Sequence, residues 1–182
     1  MNESTGSILK ALRYAADKHS EQRRRDSKAS PYINHPIQVA ETLWNVGGVR
    51  DEALLTAAIL HDTIEDTDAT PEEIRREFGE EVLSIVLEVT DDKTLPKEVR
   101  KQLQVETAAG KSPRAKLLKL ADKICNVDDL IHSPPSNWSL KRKQEYLLWS
   151  ERVIKGVRGS NKELENRYDE ILNEGKRLLG ME

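Results

Sequence analysis

The chain has 182 residues and contains little of several features that mark familiar classes of protein. Its one cysteine, Cys125, excludes an internal disulfide. No apolar run approaches the roughly 20 residues that a membrane-spanning helix needs. The polar start, residues 1–7, lacks the charged and apolar regions of a signal peptide. We therefore expect a cytoplasmic protein without a membrane partner.

Charge of one sign and glycine-rich loops are also missing. Lys and Arg number 29 against 32 Asp and Glu, which gives a formal net charge of −3 and no global basic field. Nucleic acid is therefore not the expected partner. The chain also has no glycine-rich phosphate-binding loop. Any phosphate must then be bound by local basic clusters.

Aromatic residues make up only 4% of the chain, whereas charged residues make up 34% and hydrophobic residues 37%. The interior is therefore expected to consist mainly of Leu, Ile, Val and Ala beneath a highly charged surface. The length suits one domain with a real core, and no repeat or linker is visible. We predict a single domain over residues 1–182.

The spacing of apolar residues predicts helices almost everywhere, and hence an all-α fold of roughly eight to ten helices. Pro36 is expected at the first position of the second helix. Thr70 as cap, Pro71 at the first position and Glu73 at the third mark a helix start, and Gly79 marks its stop. The predicted helices cover residues 8–19, 36–44, 51–61, 71–78, 80–89, 97–108, 114–130, 139–158 and 162–179.

The most informative local feature is the pair His61-Asp62, which ends the apolar stretch 52–60. Imidazole nitrogen and carboxylate oxygen suit a divalent ion such as Mn²⁺, Fe²⁺ or Zn²⁺. The alternative is a structural role, in which His61 ends a helix and its ring hydrogen-bonds to a neighbouring carbonyl. Glu65 and Asp66 follow at once and would lie on the same side if the helix ran on by one turn. Beside a metal, one of them could deprotonate water and the other position it, rather than form a solvated acidic loop.

Two further residues extend this candidate metal site. His35 stands between Pro31 and Pro36, which stiffen the approach to a helix. Asp122 interrupts a strongly apolar helical pattern, and a buried aspartate must be paired or bound to a metal. Four residues from three helices are therefore predicted to close on one ion, namely His35, His61, Asp62 and Asp122.

The densest cluster of positive charge lies within a dozen residues before His35. This position favours phosphate recognition over a solvated basic loop, since arginine binds phosphate through two hydrogen bonds or stacks on a base. Tyr146, four residues after Arg142, could supply a hydroxyl or a ring to a nucleotide. The cluster comprises Arg23, Arg24, Arg25 and Lys28.

Four segments together carry a specific resemblance to a known family. The chain resembles the hydrolase domain of the Rel/SpoT proteins, and in particular their stand-alone small alarmone hydrolases of the metazoan SpoT-homologue type, within the HD-domain phosphohydrolase superfamily. The resemblance covers about residues 8–160 and leaves a last helix at about 161–179. The segments are Arg23-Arg-Arg-Asp26 with Pro31-Tyr-Ile-Asn-His-Pro36, Ala57-Ala-Ile-Leu-His-Asp-Thr-Ile-Glu-Asp-Thr67, Val89-Thr-Asp-Asp-Lys-Thr-Leu-Pro96 and Lys119-Leu-Ala-Asp-Lys-Ile-Cys-Asn126.

The resemblance implies an all-α HD-domain helical bundle, one Mn²⁺ or another divalent ion, and a pyrophosphohydrolase. Its substrate would be guanosine 3′,5′-bis(diphosphate), ppGpp, cleaved to GDP and pyrophosphate, and also pppGpp, cleaved to GTP. Glu65 and Asp66 would activate and orient the water. The implied metal ligands are His35, His61, Asp62 and Asp122, and the implied nucleotide contacts are Arg24, Arg25 and Asn126, with Arg142 and Tyr146 near the phosphates or ribose.

Two residues depart from the family pattern. Arg25 stands where lysine is usual, which keeps the charge and changes the contact geometry. Asp128 stands two residues after Asn126, where an arginine is common, and it is expected to weaken or redirect the binding of an anionic substrate.

Two alternatives to an alarmone hydrolase remain. One is another nucleotide phosphohydrolase on the same scaffold, such as an enzyme that removes the 2′-phosphate of NADPH. The other is a non-catalytic nucleotide-binding sensor, against which the intact Glu65-Asp66 pair argues, because a pure binder needs no water-activating group. In each case the partner is a small-molecule nucleotide, and a homo-oligomer stays open.

Overall fold

The computed structural model describes residues 3–181, and within that range the fold is all-α, as predicted. The ends of the predicted domain, residues 1–2 and 182, lie outside it. Apart from one isolated bridge between Arg23 and Pro31, the described residues form no strand pairing. Their helices are α1 (Glu3–Lys18), α2 (Asn34–Asn45), α3 (Glu52–Leu60), α4 (Thr63–Asp66), α5 (Pro71–Val89), α6 (Lys97–Thr107), a 3₁₀ helix (Ala108–Gly110), α7 (Pro113–His132), α8 (Leu140–Lys155) and α9 (Lys162–Leu178).

Two helices, α3 and α7, form the centre of the bundle. Helix α3 is buried from Leu54 to Leu60 because α1, α2 and α5 all pack around it. This packing explains why its sequence is apolar on nearly every face. Helix α7 lies against α2, α5, α8 and α9. The predicted ligands are thus carried by the two central helices, α7 and the end of α3, and by α2, which packs against both of them.

The chain turns sharply where the apolar run ends. Helix α3 stops at Leu60, His61 and Asp62 follow, and the short helix α4 starts at Thr63. A hydrogen bond from the Thr63 hydroxyl to the carbonyl of Leu60, 2.6 Å long, holds this turn. His61 and Asp62 therefore present their side chains from a helix junction instead of from a continuous helix.

The predicted start of α2 at Pro36 is wrong by two residues. The helix begins at Asn34, because Ile33 already has a helical backbone. Pro36 still lies in the first turn, where its missing N–H costs no helical hydrogen bond. As a result His35 belongs to the helix, and its ring is 2% exposed.

Helix α5 is interrupted at Gly79, where the sequence predicts a stop. The start is confirmed as well, since Thr70 and Glu73 form the expected reciprocal capping pair. Gly79 has φ +87° and ψ 167°, a region of backbone conformation that is essentially restricted to glycine. Residues 80–89 continue as helix, in agreement with the spacing of their valines and isoleucines.

None of the helices between residues 3 and 181 combines the length and apolarity that crossing a membrane would require.

We expect Gly79→Ala to lower the free energy of unfolding by about 1–3 kcal/mol, because a Cβ atom is strained at this φ and ψ whatever space surrounds it. Urea unfolding followed by far-UV circular dichroism measures this change. Gly110→Ala is the matched control, since Gly110 has ordinary φ and also no neighbour within 4 Å. An equal loss in both variants would contradict the assignment of strain to Gly79.

Candidate active site

His61 presents one ring nitrogen to the interior of the site. Its Nδ1 donates a hydrogen bond to the carbonyl of Ala58 at 2.7 Å, so the Nε2 atom carries the lone pair. This Nε2 is buried, makes no hydrogen bond among the described residues, and lies 3.1 Å from Oδ2 of Asp62. Two acceptor atoms at this separation require a positive charge between them. A purely structural role at the end of a helix therefore explains Nδ1 of His61 but not its buried Nε2.

The pKa of His61 reflects the same requirement. Burial alone would lower it, but the carboxylates of Asp62 and Asp122 raise the pKa well above its usual value. Either a proton or a metal ion can meet this demand for positive charge.

The four predicted ligands lie around one point. Ligand atoms of His35, His61 and Asp62 all lie within 4.8 Å of one another. Oδ1 of Asp122 lies 3.2 Å from Nε2 of His35 and 3.7 Å from Nε2 of His61. These atoms come from α2, the α3–α4 junction and α7, the three elements predicted from the sequence. Two imidazoles and two carboxylates fit a borderline or hard divalent ion.

Neighbouring side chains hold the two aspartates in place. The hydroxyl of Tyr32 donates to Oδ2 of Asp62 at 2.5 Å. Asp122 accepts from the amide of Asn126 at 2.6 Å and from the ammonium of Lys123 at 2.8 Å. Although burial opposes ionisation, His61 lowers the pKa of Asp62 and Lys123 lowers that of Asp122. Both carboxylates therefore stay ionised and available as ligands.

Glu65 and Asp66 line the same cavity as this cluster. The backbone N–H of Asp91 donates to Oε2 of Glu65 at 2.9 Å. Lys93 donates to Oδ1 of Asp66 at 2.5 Å and lies 3.5 Å from Oε1 of Glu65. Burial raises the pKa of Glu65 above its usual value, which makes it a better proton acceptor once ionised. The loop 90–96 thus positions the acidic pair beside the ligands.

Two neighbouring cavities that share lining residues form the candidate site. The inner cavity, about 190 Å³, contains the four candidate ligands and Glu65. The outer cavity, about 290 Å³, contains the basic cluster Arg23 to Arg25. Three residues line both cavities, and these passage residues are Tyr32, Asp66 and Asn126.

The predicted nucleotide contacts are divided between the passage residues and the rest of the outer cavity. Asn126 lines both cavities, whereas Arg24, Arg25 and Tyr146 line the outer cavity only. The guanidinium of Arg25 makes no hydrogen bond or ion pair within the described residues. Arg142 lines neither cavity, because its guanidinium stacks on the Trp138 ring at 4.2 Å.

Asp128 does not line either cavity, contrary to the expectation from its position in the sequence. It faces α9 instead. Its Oδ1 lies 3.5 Å from Nη2 of Arg167 and 3.4 Å from Nδ1 of His132. The negative charge of Asp128 is therefore balanced away from the outer cavity.

Lys119, Lys123 and Asp129 were not predicted from the sequence as residues of the site. Lys119 and Lys123 line the inner cavity and are each 4% exposed. Their spacing within the apolar pattern of α7, on either side of Asp122, was the available signal. Arg24 pairs with Asp129, and no local pattern in the sequence links these two residues.

Comparisons with known proteins agree with this architecture. The HD-domain family matches residues 11–150. A protein of Xenopus tropicalis named guanosine-3′,5′-bis(diphosphate) 3′-pyrophosphohydrolase MESH1 is 52% identical over 171 residues, which cover 94% of this chain and 96% of that protein. The human protein of the same name is 49% identical over 174 residues, covering 96% and 97%.

A solved structure extends the similarity to three dimensions. It is described as a metazoan orthologue of SpoT that hydrolyses ppGpp and plays a role in starvation responses. It superposes with a TM-score of 0.90 at 46% identity and covers 92% of this chain and 94% of its own.

We expect His61→Ala to weaken the binding of Mn²⁺ by more than about 100-fold, because it removes a nitrogen that faces the cluster directly. Isothermal titration calorimetry measures the affinity. His132→Ala is the control, since His132 lies on the surface and pairs with Asp128 and Glu174. Unchanged affinity in His61→Ala would rule out the four-ligand site.

Proposed function

The chain belongs to the HD-domain family and, within it, to the Rel/SpoT-type alarmone hydrolases, and from this premise we infer that it is a guanosine-3′,5′-bis(diphosphate) 3′-pyrophosphohydrolase. It hydrolyses ppGpp to GDP and pyrophosphate, and pppGpp to GTP. The observation that carries this conclusion is the identity of about half of all residues over nearly the full length of relatives with this named activity. We also propose that residues 1–182 form one HD-type domain.

We propose that His35, His61, Asp62 and Asp122 hold one divalent ion, and that this ion is Mn²⁺. The unpaired Nε2 of His61 beside two ionised carboxylates supports the proposal. When bound, such an ion acts as a Lewis acid and offsets negative charge on the phosphoryl oxygens. Metal dependence itself follows from the family.

Glu65 is proposed as the general base. Water attacks the phosphorus bonded to the 3′-oxygen and gives up one proton to a base, the P–O3′ bond breaks, and the departing 3′-oxygen takes up one proton from solvent. Glu65 would accept the proton of the attacking water at Oε1, because Oε2 is already bonded to the N–H of Asp91. Asp66, which lines both cavities and is held by Lys93, would orient that water.

The two cavities suit the two parts of the substrate. We propose that the nucleoside and its 5′-phosphates occupy the outer cavity, where Arg24, Arg25 and Tyr146 would contact them. The 3′-diphosphate would then pass Asn126 to reach the inner cavity. Arg142, stacked behind Trp138, would add positive charge to the wall of the outer cavity.

We expect the protein loaded with Mn²⁺ to release pyrophosphate from ppGpp, and a chelator to abolish this release, because the four candidate ligands lose their ion. The same assay run with NADPH separates the alternatives by product. Single phosphate released from NADPH alone would favour a 2′-phosphatase. No turnover of either nucleotide by the metal-loaded protein would favour a sensor.

We expect Glu65→Gln to lower kcat on ppGpp by about 10²- to 10⁴-fold with little change in KM, since the variant keeps the shape of the side chain and loses its ability to accept a proton. Steady-state release of pyrophosphate gives both constants. Glu106→Gln is the control, because Glu106 is an exposed carboxylate that bonds only to Gln102 among the described residues. A loss below threefold in Glu65→Gln would remove Glu65 from the mechanism.

A further inference from the structure

Lys119 is a buried cation whose charge the proposed chemistry leaves unexplained. It lies on α7, is 4% exposed and lines the inner cavity. Its ammonium makes no hydrogen bond and no ion pair with any described residue. Lys123, one turn later and equally buried, is instead bonded to Asp122. An ammonium that is buried without a counter-charge destabilises the fold unless an anion joins it.

The charged groups around Lys119 do not supply this counter-charge. Of the two nearby carboxylates that favour its protonation, Asp122 is engaged by Lys123, and Asp91 accepts a hydrogen bond from Gln104. Lys111 and Lys123 oppose its protonation. Burial is the largest influence and lowers the pKa of Lys119 to about 8.

The lining of the two cavities places Lys119 in the inner cavity only. The passage residues are the ones that the inner cavity shares with the outer cavity. Lys119 and Gln104 line the inner cavity together with the candidate ligands, and neither of them lines the outer cavity. The side-chain oxygen of Gln104 is buried and also lacks a hydrogen-bond partner. The inner cavity therefore contains two polar groups without hydrogen-bond partners in addition to the candidate ligands.

We propose that Lys119 and Gln104 form a subsite for the terminal phosphate of the 3′-diphosphate, and that Lys119 is the residue that contacts it and selects a diphosphate over a monophosphate. The inference rests on the proposed function, because it takes the order of the substrate from that assignment. With the nucleoside in the outer cavity and the scissile phosphorus at the four ligands, the next group along the chain of the substrate is the terminal phosphate. The Lys119 ammonium would donate to its oxygens, and the Gln104 oxygen would accept from a protonated one.

The test compares two ligands that differ by this phosphate alone, namely ppGpp and guanosine 5′-diphosphate 3′-monophosphate. We expect Lys119→Met to lower kcat/KM for ppGpp by about 10- to 100-fold, the loss typical of a hydrogen bond to a charged group. The inhibition constant of the 3′-monophosphate should stay within about threefold of wild type. Lys116→Met, on the same helix and outside both cavities, should change neither value.

A structural role for Lys119 predicts a different result. Loss of ppGpp turnover together with an equal loss of monophosphate binding would assign Lys119 to the packing of the site, and no loss at all would remove the contact. Thermal unfolding checks that each variant is folded, and Lys119→Gln replaces the methionine variant if that one is not.

The proposed function and the subsite fail separately. Absence of pyrophosphate release by the metal-loaded wild type would overturn the function. Calorimetric binding of inorganic pyrophosphate to the metal-loaded wild type and to Lys119→Met still tests the subsite in that case. Equal affinity in both proteins would overturn it.

Discussion

The site depends on one electrostatic constraint, which is that two carboxylates lie 3.1–3.9 Å from two histidine nitrogens and need a positive charge between them. His61 and Asp62 contribute their ligand atoms from the junction of α3 and α4, and Asp122 contributes a carboxylate from α7. Because α2, α3 and α7 pack on one another, the ligand positions are fixed by the core of the protein. The bundle pre-organises the charge of the site before any ion or substrate arrives.

Most of the fold could be predicted because apolar residues recur at helical spacing over long segments. The spacing of apolar residues did not predict a helix where a segment was too short to show a period, as in the four residues of α4. It also failed at Pro36, since a proline is tolerated anywhere in the first helical turn and does not fix the first residue.

The candidate ligands could be predicted because their residue types are unusual in an apolar context, but side-chain direction could not. Asp128 follows Asn126 by two residues, and on a helix this step turns the side chain by about 200°. The two therefore face opposite elements, the cavities in one case and α9 in the other. The roles of Lys119 and Asp129 in the site depend on residues that are distant in the sequence, so the sequence alone does not predict them.

The ion pair between Arg24 and Asp129 has a consequence for how the outer cavity treats anions. An arginine that already has a carboxylate partner gains little from a weakly charged visitor, since the newcomer must compete with an attached counter-ion. A molecule with several phosphates brings enough charge to share or displace Asp129, whereas chloride or a single carboxylate does not. The ion pair would therefore favour ligands with several negative charges over small anions in the outer cavity.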